Sequence, residues 1–230
     1  LYSHGRNKMT LLCSKPLESF GTWVEQLVAE STGKLGKGIA PITGEAPKDP
    51  SAYGSDRVFV ELQLASELDE RLDQQVRAIA AAGHPVIRIH WGDRYELGAE
   101  VAKWAIATAV CAYVMQLNPF DEPNVQESKD RTKALLAEFM KQGKLPEEQP
   151  AFTEGQIVGF GKGQSLSQAL ASWLQSARAQ EYAAVLSFLP RTPALDRLAQ
   201  DLCTRIGAAS GLATMLGIGP RYLHSTGQLY

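Results

Sequence analysis

The feature that most limits what this chain can fold into is the alternation of short apolar runs with longer segments of helical period. Residues 9–14 (MTLLCS), 56–64 (DRVFVELQL), 84–91 (HPVIRIHW), 182–190 (YAAVLSFLP) and 211–218 (GLATMLGI) have the length and composition of strands. Between them lie helical segments. In 16–31 the apolar residues Leu17, Phe20, Val24, Leu27 and Val28 mark one face, and 66–82 is an amphipathic helix closed by Gly83. Residues 95–117, 124–142, 165–179 and 193–209 continue the series. Strands separated by helices of this length specify an α/β fold, a three-layer sandwich with a mostly parallel sheet flanked by helices.

The 230 residues, 44% hydrophobic, are enough for one domain with a sizeable core. We read 1–230 as a single domain, with a polar, Gly/Pro-rich surface excursion at about 143–164. A formal charge of −2 provides no basic footprint, so nucleic acid is not an expected partner. Cys13, Cys111 and Cys203 lie far apart in apolar contexts and read as reduced thiols of a cytoplasmic protein. The run AIATAVCAYVMQL (105–117) is too short to span a bilayer. It is expected to be a mostly buried core helix, with no membrane as partner. No signal peptide is recognisable, and a chain that does not start with Met is expected to be a piece of a longer one.

In a parallel sheet, ligands gather at the carboxyl ends of the strands. We place the loops near 14–16, 31–38, 64–66, 91–95 and 190–193 there. ESTGKLGKGIAP (30–41) is neither a Walker A loop nor GxGxxG, but its glycines and its lysines Lys34 and Lys37 could hold an anion. GPRYLHSTGQLY (219–230) collects Arg221, His224, Ser225, Thr226 and Gln228, and a histidine near its ordinary pKa could shuttle protons. His84 and His90 flank a strand and read as structural. NPFDEPNVQESKD (118–130) gathers Asp121, Glu122, Gln126, Glu127 and Lys129 at a helix start. It is either a solvated helix N-terminus or the rim of a site. No metal-ligand spacing, nucleophile elbow or cofactor motif is recognisable.

GRNKMTLL (5–12), SFGTWVEQLVAESTGKLGKGIAP (19–41), NPFDEPNVQESK (118–129) and GPRYLHSTGQLY (219–230) together resemble phosphoglucose isomerases. The resemblance is strongest to the isomerase half of bifunctional transaldolase/phosphoglucose isomerase proteins, and it runs from about residue 5 to 230. It implies the second of two sugar-isomerase (SIS) domains, flavodoxin-like in fold. It further implies interconversion of glucose 6-phosphate and fructose 6-phosphate through a cis-enediol, a sugar phosphate as substrate, no cofactor, and a homodimer. The remainder of the polypeptide would supply a first SIS domain and, in a fusion, a transaldolase domain. A glutamate suits the proton transfer because it can take up and return one proton.

The resemblance implies a motif FDQxGVExxK around that glutamate; laid on it, this chain has Phe120, Asp121, Glu122, Pro123, Asn124, Val125, Gln126 and Lys129. Glu122 replaces a glutamine, Asn124 a glycine, and Gln126 the glutamate that the resemblance makes catalytic. A neutral amide cannot accept a C–H proton, so Glu127 and Glu122 become the alternative bases, and Gln126→Glu is expected to raise turnover. The resemblance implies ring opening by a histidine that, in the family's eukaryotic members, shortly follows an ESNGK loop; no histidine follows ESTGK here as far as residue 60, and His224 is the substitute candidate. Lys34, Lys37, Ser225, Thr226 and Gln228 are the candidate substrate ligands. Two other readings stay open. One is a non-catalytic phosphosugar-binding or dimerisation module; the other is an interaction domain without a ligand.

Overall fold

The structure is a computed structural model that describes residues 2–121, 123–178 and 180–229. In chain order its elements are β1 (Lys8–Cys13), α1 (Glu18–Thr32), β2 (Ala40–Ile42), β3 (Arg57–Leu64), α2 (Glu70–Ala81), β4 (Val86–Trp91), α3 (Leu97–Val114), α4 (Pro123–Gln142), β5 (Phe152–Glu154), β6 (Ile157–Gly159), α5 (Leu166–Gln175), β7 (Tyr182–Ser187), α6 (Pro193–Ser210) and β8 (Ala213–Ile218). The chain divides into two compact units, Leu1–Asp121 with Gln180–Tyr230, and Glu122–Ala179.

In the first unit, β2-β1-β3-β4 form a parallel sheet in that order, and β7 and β8 form a second parallel pair. This is the layered α/β arrangement expected from the alternation. On one sheet face, Phe20, Val24 and Val28 of α1 and Trp104 of α3 pack with Leu11, Val60, Leu62 and Trp91. On the other, Val76 and Ile79 of α2 meet Leu12 and Phe59. Ala40 and Ile42 of β2 share a small core with Ala213 and Met215 of β8.

β3 shows why its sequence alternates. All eight residues are buried, because a central parallel strand is covered on both faces. Its polar positions are therefore shielded from water, and each finds partners. Arg57 pairs with Glu45 at 2.7 Å and with Thr10 Oγ1 at 2.8 Å, while Gln63 donates to Glu61 at 2.7 Å.

Two expectations change. α3 is not mostly buried: only Glu100, Trp104, Thr108 and Ala112, spaced one turn apart, lie inside. Ile106, Val110, Tyr113 and Val114 are exposed on the remaining faces. With the turn before it, the segment Arg94–Val114 is long and apolar enough to cross a membrane by length and composition. Here it packs along α1, with Trp104 in the core. Secondly, 31–38 is not a carboxyl-end loop. The crossover from β1 through α1 to β2 is parallel, so this loop enters β2 and lies at the amino edge of the sheet.

The second unit holds α4, an antiparallel hairpin of β5 and β6, and α5. The excursion expected at 143–164 falls within it and carries the hairpin. Ser165 caps α5 by accepting from Gln168 N.

Candidate functional site

The first of the two suspected loops begins where α1 ends. Thr32 Oγ1 donates to Val28 O at 2.7 Å and accepts from Ile39 N at 3.0 Å, which folds the chain back on the helix end. Lys34 and Lys37 exchange both backbone bonds, at 3.0 and 2.9 Å, around Leu35 and Gly36. Both central residues have positive φ, 54° and 70°, as a type I′ turn requires. The two ammonium groups point to one place. Lys37 Nζ donates to Met115 O at 2.8 Å, and Lys34 Nζ to Asn118 O at 2.8 Å, to Asp121 Oδ1 at 2.9 Å and to Asp121 O. Met115 is the C-cap of α3, so the lysines satisfy carbonyls at and just beyond the negative end of that helix.

The second loop, 219–229, leaves β8 and packs along α1. Arg221 Nη2 donates to Glu25 Oε1 at 2.7 Å, and Thr43 Oγ1 donates to the other oxygen, Oε2. Glu25 is 6% exposed. Burial pushes its carboxyl above the ordinary glutamate value, while the Thr43 hydroxyl and the Arg221 charge pull the other way. Farther along, Tyr182 Oη donates to Leu229 O at 2.6 Å. A Cβ on Gly33 would stand 2.9 Å from Gln228 O, and one on Gly38 2.7 Å from Leu229 Cδ2. The two loops, almost two hundred residues apart in sequence, are thus in direct contact.

The residues proposed from the sequence separate into groups. Ser225, Thr226 and Gln228 are buried, and His224 beside them is exposed. Lys34 is buried and Lys37 exposed, with their ammonium groups on α3's carbonyl end. In the second unit, Gln126 Nε2 donates to Asp130 Oδ1 at 3.0 Å and Glu127 accepts from Arg131 at 2.6 Å. Both are exposed i,i+4 pairs, the pattern of a solvated helix face. Glu122 lies outside the described residues. His84 Nε2 is 3.0 Å from Pro50 O, with its ring against Tyr53 and Phe59, a structural setting.

Two carboxylates of α1 escaped the sequence reading. Glu25 stands within the buried stripe Gly21, Val24, Val28, Thr32, and a charge in such a stripe is the signal that marks it. Glu30 is half-buried in the last turn and accepts a long bond, 3.5 Å, from Gln26. Glu25 has one oxygen taken by a guanidinium and the other by a hydroxyl. Glu30, half-buried in the last turn of α1, is the more accessible of the two.

No family model matches the chain. The chain is similar to the glucose-6-phosphate isomerases of Clostridium tetani (28% identical over 174 residues, 59% of this chain and 38% of that protein) and Rubrobacter xylanophilus (27% over 171 residues, 58% and 40%). It is also similar to that of Enterococcus faecalis, 27% identical over 173 residues, 59% of this chain and 38% of that protein. The chain therefore spans about two-fifths of the length of the curated relatives it matches. The chain is thus similar, at 27–28% identity, to part of each of these glucose-6-phosphate isomerases.

Proposed function

We propose that the chain is the second SIS domain of a glucose-6-phosphate isomerase, in a polypeptide that also carries a transaldolase domain. It acts on a sugar phosphate, works as a homodimer in the cytoplasm, and needs its remaining polypeptide for turnover. The similarity to isomerases, joined to the contact between the ESTGK and HSTGQ segments, supports this reading. The proton between C1 and C2 is carried by Glu30 rather than at position 126. A carboxylate can accept and return it, whereas the amide of Gln126 cannot. Glu30 also opens the ESTGK segment, whose Gly33 lies against Gln228 of the HSTGQ segment.

The alternative, a non-catalytic phosphosugar-binding or dimerisation module, draws on one observation: Ser225, Thr226 and Gln228 are buried. A coupled isomerase assay on the intact parent protein separates the two. The isomerase reading expects turnover that Glu30→Gln lowers by roughly 10²–10⁴ and His224→Ala reduces. A parent without turnover, yet able to bind fructose 6-phosphate, would establish the module instead.

A further inference from the structure

Between α3 and the sheet face formed by β1, β3 and β4 lies a cavity of about 740 Å3. Its size is within the roughly 300–1,000 Å3 of small-molecule sites. The walls are largely apolar, with Met9, Val58, Val60, Ile89, Trp104 and Met115 among them. The charges at this cavity are nearly all matched. Lys8 pairs with Asp56 at 2.5 Å, Lys103 with Glu100 at 2.6 Å, and Arg88 with Asp73 at 3.0 Å and Glu61 at 3.5 Å. His90 also lies beside Glu61, at 3.3 Å.

Arg6 is different. Among the described residues it has no carboxylate partner, and its Nη1 donates to the carbonyl oxygens of Ser55 and Arg57. Those carbonyls fix the guanidinium without neutralising it. A fixed, uncompensated guanidinium beside an apolar chamber is complementary to an apolar molecule with one carboxylate, which such a fork binds through paired hydrogen bonds.

We propose that this cavity is a binding site for an amphipathic carboxylate of the medium-chain fatty-acid class, its chain between α3 and the sheet and its head group on Arg6. The site is independent of the isomerase reading, and its test needs no turnover. Calorimetric titration of the chain with decanoate is expected to give saturable one-to-one binding, at least tenfold tighter than decanol or decylamine. Arg6→Gln abolishes the preference for decanoate over decanol, and Arg6→Lys keeps most of it. Ala107→Phe, at a solvent-accessible position of α3 that lines the cavity, weakens decanoate and decanol alike by tenfold or more. Near-ultraviolet circular dichroism checks that each variant is folded. Absence of saturable binding, equal affinity for decanoate and decanol, or a preference that survives Arg6→Gln would overturn the proposal.

Discussion

Arg221 Nη2 reaches Glu25 Oε1 at 2.7 Å across 196 positions of sequence, and so ties the turn after β8 to the middle of α1. The carboxylate end of this pair is buried, and burial is the largest influence on it, raising its pKa above the ordinary 4.5. The native state therefore keeps the Glu25 proton over an interval in which the unfolded chain has released it. Ionising Glu25 costs stability as pH rises through that interval; the cost is absent below it and complete above it. Glu25→Gln removes this dependence. The stability of the variant relative to the parent chain should rise from about pH 4 into the mildly acidic range and then level off. Thermal unfolding of both at a series of pH values measures this, and a difference that does not vary with pH would falsify the assignment.

The contact between the two loops depends on the missing side chains of Gly33 and Gly38. At Gly33 a Cβ would lie 2.8 Å from Ala29 O and 2.9 Å from Gln228 O, both backbone atoms that cannot turn aside. Gly33→Ala should cost about 1–3 kcal/mol, the range of overpacking in a close contact. At Gly38 the nearest atom is the end of the Leu229 side chain, which can rotate, so Gly38→Ala should cost less. Gly36 has open space but φ of +70°, so Gly36→Ala costs about 1 kcal/mol through backbone conformation, and Gly36→Asn less than that. Urea midpoints for the four variants would settle the order, and Gly36→Ala ranking above Gly33→Ala would contradict it.

The alternation that specified the layers was legible because it is local: each strand and each helix face announces itself within about ten residues. β2 was not, since Ala40–Ile42 is a three-residue strand inside a Pro- and Gly-rich stretch with no pattern of its own. It exists because Lys8, Met9 and Thr10 of β1 lie beside it. The burial of α3 was misjudged for a related reason: mean apolarity says nothing about how many faces of a helix have neighbours. At the site, both suspected loops were visible from composition, but their meeting was not. Nor was the engagement of Lys34 and Lys37 with carbonyls more than seventy residues away. Such partners are chosen by topology, which places the end of α3 over the entrance to β2.

The two lysines of that turn should differ in consequence. Lys34 is 3% exposed and bonds three oxygens, so Lys34→Met removes the donor that holds the 118–121 segment to the turn. A loss of about 1.5–3 kcal/mol follows from the charge-assisted bonds. Lys37 is exposed and holds one carbonyl at the C-cap of α3. Lys37→Met should cost about 0.3–1 kcal/mol, the scale of a cation at a helix C-terminus, and less in high salt. Denaturant unfolding at low and high ionic strength tests both numbers. Equal losses would mean that the buried ammonium is not the anchor of the turn.

Position 126 offers the sharpest functional contrast. Gln126 stands one turn before Asp130 on an exposed helix face, so a glutamate there would face a like charge across the turn and slightly weaken α4. Placed among solvated charges, it would also lack the burial that tunes a catalytic carboxylate toward neutral pH. Gln126→Glu in the intact parent should therefore leave isomerase turnover within about twofold, while Glu30→Gln lowers kcat by roughly 10²–10⁴, the usual contribution of a general base. The substitution at Glu30 is isosteric, so KM should change far less than kcat. A coupled assay on the two variants and their double mutant decides between them. A gain in turnover from Gln126→Glu that persists in the double mutant would move the proton transfer back to α4.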